Sequence, residues 1–102
     1  CKWGESIGVE TGSDMVHRMA ERMGFSVVVV RDPKRGNVRV YGHPDSQVDL
    51  TEIHLAVMAG DRDADWFLHA SKKLLLNGSR ANPAMRPTKL KLMEIINMIK
   101  NN

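Results

Sequence analysis

The stretch Phe25-Ser26-Val27-Val28-Val29-Val30-Arg31-Asp32-Pro33-Lys34-Arg35-Gly36-Asn37-Val38-Arg39-Val40-Tyr41 decides the fold class. Four consecutive valines are β-branched and stiff about χ1, which favours an extended strand over Phe25–Arg31. Asp32 to Asn37 then reads as a turn, in which Pro33 fixes one corner and Gly36 relaxes the other. Beyond it, Val38 and Val40 alternate with Arg39 and Tyr41, the period of a strand with one face buried. The two runs together predict a β-hairpin, with Lys34 and Arg35 solvated at its tip.

Upstream of the hairpin, Ser13 or Asp14 can cap a helix. Met15, Val16, Met19, Ala20 and Met23 recur at helical spacing, and Gly24 ends the run. Methionine fills irregular core space, so this stripe is expected to be buried. Residues 1–12 contain Gly4, Gly8 and Gly12 with little periodicity. They read as a loop or linker from a missing N-terminal region, leaving 13–102 as one domain. Residue 1 is a cysteine where an initiator methionine would stand, so the chain is expected to be a fragment or a processed product. No flexible polar tether follows Cys1, which argues against an acylated anchor.

Downstream, Gly42-His43-Pro44-Asp45-Ser46 is a polar loop. Asp49 and Glu52 then resemble a capping box ahead of a short helix. Leu50, Ile53 and Val57 form its inward face, and Gly60 marks its end. Trp66–Leu68 and Leu74–Leu76 read as two buried strand segments, a bent strand or a second hairpin. Pro83 and Pro87 keep the next stretch irregular. Leu92, Ile95, Ile96 and Ile99 mark a final amphipathic helix behind a weak cap at Lys89–Lys91. The order is helix, strand, strand, helix, strands, helix. It predicts an α+β domain with a small mixed, partly antiparallel sheet, one face of which is covered by about three helices.

At 102 residues, 42% of them hydrophobic, the chain can bury one modest core. Its longest apolar run, Val27–Val30, is far too short to span a bilayer. One cysteine permits no internal disulfide, which suits a reducing cytoplasm. The net charge of +3 is unevenly spread. Residues 1–65 hold eight Lys/Arg against eleven Asp/Glu, whereas residues 66–102 hold seven against Glu94 alone. That asymmetry points to an anionic partner for the C-terminal part, such as a phosphate ester or short nucleic acid. A binder of long duplexes would be more basic overall.

The residues best suited to an oxyanion lie between and after the two short apolar runs. His69, Ser71, Lys72, Lys73, Asn77, Ser79 and Arg80 supply cationic and neutral donors. Gly78 lets backbone N–H groups approach a ligand closely. Other chemistries find less support. There is no internal cysteine nucleophile. His17, His43, His54 and His69 show no zinc-ligand spacing, and the first and third are expected on solvated or rim positions of helices. Asp61, Asp63 and Asp65 alternate but lack the glycine and distant glutamate of an EF-hand, so they read as an Asp-rich helix-entry loop. No phosphate-loop or dinucleotide fingerprint occurs. Aromatics are few, and a base-stacking platform of the RNA-recognition kind has little support.

The order of these pieces resembles the DHHA1 domain, the C-terminal substrate-binding domain of the DHH phosphoesterase superfamily. The match runs over roughly residues 24–100. It consists of the hairpin, the segment Val48-Asp49-Leu50-Thr51-Glu52-Ile53, then Trp66-Phe67-Leu68-His69-Ala70-Ser71, Asn77-Gly78-Ser79 and an amphipathic helix. Val48–Ile53 is similar to the helix start that follows the hairpin in the family, which includes RecJ-like nucleases and oligoribonucleases. Phe67–Ser71 resembles the Phe-x-His-Ala segment of its MYG1-like branch. Two departures stand out. The run of three or four glycines before the histidine is replaced by Trp66-Phe67-Leu68, so Lys72, Lys73 and the Asn77–Ser79 turn would take over the phosphate cradle. An arginine that reaches the substrate in many relatives falls here near His43.

The resemblance implies a histidine, His69, that touches the substrate phosphate, with Lys72 or Lys73 as charge complements. Gly78 and Ser79 would offer backbone N–H groups, and Arg80 would guide the ligand electrostatically. It also implies that the paired metal ions, Mn or Mg, belong to a missing N-terminal catalytic domain. This chain would then hold no cofactor and no catalytic residue of its own. Two other functions remain open on the residues: a stand-alone RNA-binding module using Arg80, Arg86, Lys89 and Lys91, and a docking or homodimerisation domain using the methionine helix.

Overall fold

The computed structural model describes residues 3–13, 15–62, 64–77 and 86–101. It is an α+β fold of three helices and a five-stranded mixed sheet. In chain order the elements are β1 (Ser6–Glu10), α1 (Val16–Arg22), β2 (Val27–Arg31), β3 (Val38–Gly42), α2 (Thr51–Gly60), β4 (Phe67–Leu68), β5 (Leu74–Leu76) and α3 (Leu92–Lys100). The strands lie in the order β1-β2-β3-β5-β4, with β1 parallel to β2 and every other neighbouring pair antiparallel.

The valine run is the centre of the sheet. Val27, Val28, Val29 and Val30 are all buried, which requires cover on both faces. Val27 and Val29 join Val38, Val40, Leu75 and the inward residues of α2 and α3 in the main core. Val28 and Val30 point the other way, onto Ala20 of α1 with Ile7, Val16, Phe25 and Tyr41 around them. The expectation that helices cover a single face is therefore corrected. Alternation in β3 hid the second core, because Arg39 and Tyr41 sit on that face and read as solvent-facing.

The reading of residues 1–12 as a loop or linker is also corrected. Ser6–Glu10 pairs with β2 in register from Ser6↔Val27 to Glu10↔Arg31. With α1 as the crossover, β1 and β2 form a βαβ unit. The interspersed glycines masked the strand, yet Gly8 has a packing reason. A Cβ there would lie 3.1 Å from Leu92 Cγ and from Ile96 Cδ1, so glycine lets α3 seat on the edge strand. Trp3 packs against the main core as well.

Burial of the methionine stripe fails for a related reason. The α1 helix touches the sheet through Ala20 and Val16, while Met15, Met19 and Met23 are 55%, 62% and 74% exposed. Short, small side chains face the valines, and the long thioethers are turned outward. Residues 66–76 form a hairpin, but its first arm is not buried. Phe67 is exposed, Trp66 and Leu68 are half-buried, and in β5 only Leu75 is fully covered. By contrast, Ile53 and Val57 of α2 and Ile95, Ile96 and Ile99 of α3 are buried as their spacing predicts. No helix among the described residues is long and apolar enough to cross a membrane.

Candidate functional site

The predicted site residues fall at the two ends of β5. At its start, a tight turn joins β4 to β5. The His69 amide donates to the Leu74 carbonyl at 2.8 Å, and the Lys72 amide closes back on the His69 carbonyl at 2.9 Å. Lys72 carries the only positive φ (63°) among the described non-glycine residues. That left-handed conformation strains an L-residue with a long side chain and marks the turn as specialised.

Three side-chain contacts set the turn. The Ser71 amide donates to His69 Nδ1 at 3.1 Å, and the Ser71 hydroxyl lies 3.0 Å from the same nitrogen. The Lys73 amide in turn donates to the Ser71 hydroxyl oxygen at 3.2 Å. Since a backbone N–H can only donate, Nδ1 is the accepting nitrogen of the imidazole. In the neutral ring the proton then sits on Nε2, the far side, as a donor for an incoming group. Both His69 and Lys72 are exposed.

The loop after β3 lies against this turn. Gly42 donates its amide to the Lys73 carbonyl at 2.7 Å, and Lys73 Nζ donates to the Pro44 carbonyl at 2.7 Å. Leu50, leading into α2, donates its amide to the Lys72 carbonyl at 2.8 Å. A Cβ at position 42 would come within 2.8 Å of Val48 Cγ1 and 3.3 Å of Lys73 Cβ, so only glycine allows the strand this approach. His43 is fixed as His69 is, its Nδ1 accepting from the Asp45 amide at 3.0 Å. Thus His43, His69, Ser71, Lys72 and Lys73 share one edge of the sheet.

An open cleft of about 580 Å³ lies here between the turn, the end of β3 and α1. Ser71 and Lys73 line it together with His17, Arg18, Tyr41 and Pro44. The His17 imidazole stacks on the Tyr41 ring with centroids 3.9 Å apart and planes 5° from parallel. Arg39 approaches the Tyr41 ring at 5.8 Å. The sequence reading missed His17, Arg18 and Tyr41 as site residues. Helical spacing put His17 on a rim position, and nothing local announces that a helix from the N-terminal third will cross the end of β3.

At the other end of β5 the polar residues are structural. Asn77 is fully buried. Its amide nitrogen donates to the carbonyls of Asp65 at 2.7 Å and Arg86 at 2.9 Å, and its side-chain oxygen accepts from the Thr88 amide at 2.6 Å. Asn37 donates to the Asn77 carbonyl at 2.7 Å, tying the hairpin tip into the same knot. Asp65 takes a paired contact from the Arg86 guanidinium, at 3.2 Å to Nε and 3.0 Å to a terminal nitrogen, and the Arg86 amide donates at 2.7 Å. These hydrogen bonds hold the Asp65 carboxyl below its ordinary value of 3.8. Asp61 is buried and accepts from the Thr88 hydroxyl and, at 3.2 Å, from the Lys89 amide. The Asp-rich segment is therefore a brace at the exit of α2, which corrects the reading of it as a helix entry. Gly78, Ser79 and Arg80 lie outside the described residues.

A second cleft, of about 650 Å³, opens at this braced end beside Glu10, Arg31, Lys89 and Lys91. Here Glu10 and Arg31 form an ion pair at 3.4 Å, and Lys91 donates its amide to Glu94 at 3.1 Å. The cations of the C-terminal part are thus divided between the two ends of the sheet. Among the described residues, no group of three or more His, Cys, Asp or Glu could hold a metal ion. The chain matches no protein-family model, no curated protein and no solved structure.

Proposed function

We propose that this chain is a phosphate-ester-binding domain, the substrate-gripping half of a phosphoesterase of the DHH type. The observation that carries the reading is the meeting of His43 and Pro44 with the His69–Lys73 turn, two segments far apart in sequence. Their contact runs through Gly42 to Lys73 and Lys73 to Pro44, each at 2.7 Å. In this reading the Nε2–H of His69 donates to a phosphate oxygen, and Lys72 and Lys73 supply the opposing charge. His43 offers a second imidazole donor of the same orientation. Hydrolysis itself, by metal-activated water, would belong to a catalytic domain joined to this one.

The test is affinity for glycerol phosphate or a short oligonucleotide, measured by calorimetry. Replacing His69 with alanine is expected to weaken binding about tenfold or more, the worth of a hydrogen bond to a charged group. The thermal midpoint should stay unchanged, because the side chain is exposed. Unaltered affinity together with a lowered midpoint would make the histidine a structural residue of the turn.

A second reading has an observation of its own. The exposed Met15, Met19 and Met23 on one side of α1 suit a docking or homodimer surface. A monomer at high concentration in sedimentation, unchanged by Met19→Glu, would remove the homodimer version of that reading.

A further inference from the structure

The cleft contains more than charge. Its cationic side, Arg18 and Lys73, faces an anion, but two aromatic rings are already stacked in its wall. A site for inorganic phosphate or polyphosphate has no use for such a wall. Resting on the phosphate-cleft reading, we infer that the ligand is a phosphate ester whose esterified group carries a flat ring. The stacked His17–Tyr41 pair is the surface that recognises this ring.

Three features support this assignment. First, the pair is built from two distant elements, α1 and β3, so its geometry is set by the fold. Tyr41 is anchored through its packing beside Val28 and Val30, and its register partner across the hairpin is Val28. Second, the rings are near-parallel at 3.9 Å, leaving His17 as a flat group that a further ring can extend. Third, Lys73 sits on the same cleft as the pair and is pinned to Pro44, so a cation and a ring surface are offered together at a fixed separation. Pro44 and Leu74 add apolar lining, which suits a ring better than a hydrated polyanion.

Ring stacking discriminates by the π-face and not by hydrogen-bond pattern, so the preference should extend to any flat ring. The experiment compares matched pairs by calorimetry on the intact chain: phenyl phosphate against ethyl phosphate, and adenosine 5′-monophosphate against ribose 5-phosphate. The ring-bearing member of each pair is expected to bind about tenfold tighter, a typical effect of stacking one base on an aromatic side chain. His17→Ala should erase that difference while leaving ethyl phosphate and ribose 5-phosphate unaffected. His17→Phe should retain it, which separates stacking from the charge of the imidazole. Lys73→Ala should weaken all four ligands alike.

Equal affinity within each pair, or a ring preference that survives His17→Ala, would overturn the inference while leaving the phosphate reading intact. If none of the four ligands binds, or if Lys73→Ala changes nothing, the phosphate cleft itself is withdrawn and the inference with it.

Discussion

The two ends of β5 make an instructive contrast. Both are flanked by small polar and basic residues, and in sequence His69–Lys73 and Asn77–Arg80 look like two halves of one ligand cradle. In the fold they have different occupations. The first end is exposed, strained at Lys72, and bonded mainly within its own turn and to the neighbouring loop. At the second end, Asn77 is buried and its side-chain amide is spent on three backbone groups. Residue type shows that a position can bind an anion; burial shows whether its hydrogen bonds are available. Here one end holds the molecule together, and the other is left to meet a ligand.

Substitutions at the two ends should therefore separate stability from binding. Asn77→Ala is expected to have the largest effect, a destabilisation of about 3 kcal/mol in urea unfolding, because buried carbonyl and amide groups lose their partners. Affinity of the folded fraction should barely change. A loss of affinity with full stability would break the contrast by returning Asn77 to the ligand site.

At the other end the signs reverse. Lys72→Gly should stabilise the domain by about 1 kcal/mol, since glycine adopts a positive φ without steric cost. The same variant should bind glycerol phosphate more weakly. Stabilisation without any loss of affinity would mean that the strained lysine has no binding role.

The smallest effect concerns Asp65. Its carboxyl is held low mainly by its hydrogen bonds from Arg86. A depressed folded value contributes stability that is complete above the ordinary value near 3.8 and is lost as the pH falls through the folded value. Stability of the parent chain should thus fall more steeply in acid than that of Arg86→Ala. Identical acid limbs for the two proteins would show that the pair contributes nothing, as some exposed ion pairs do.

The sequence carried the fold where a pattern was long and its cause local. The four valines, the Pro33–Gly36 turn and the isoleucines of α3 gave their elements directly. It misled where a neighbour decides the outcome. The valine run was legible as a strand, but its two-sided burial depends on α1 crossing behind it. The methionines recur at helical spacing, yet the close approach of Ala20 and Val16 to the sheet turns them outward. The edge strand Ser6–Glu10 was hidden by glycines that exist to admit α3. In the candidate site, the turn His69–Lys73 could be read because its polar residues are contiguous. The His17–Tyr41 pair could not, because stacking joins two elements through the tertiary fold and leaves no mark in either segment alone.

The measurement that tests the central claim most directly is a chemical-shift titration of the labelled chain with glycerol phosphate. Shifts confined to His43, His69–Lys73 and the cleft residues His17 and Tyr41, with Asn77 and Thr88 unmoved, are the predicted result. Shifts centred on Asn77, Thr88, Lys89 and Lys91, with the His69 turn silent, would contradict the account and move the site to the braced end of the sheet.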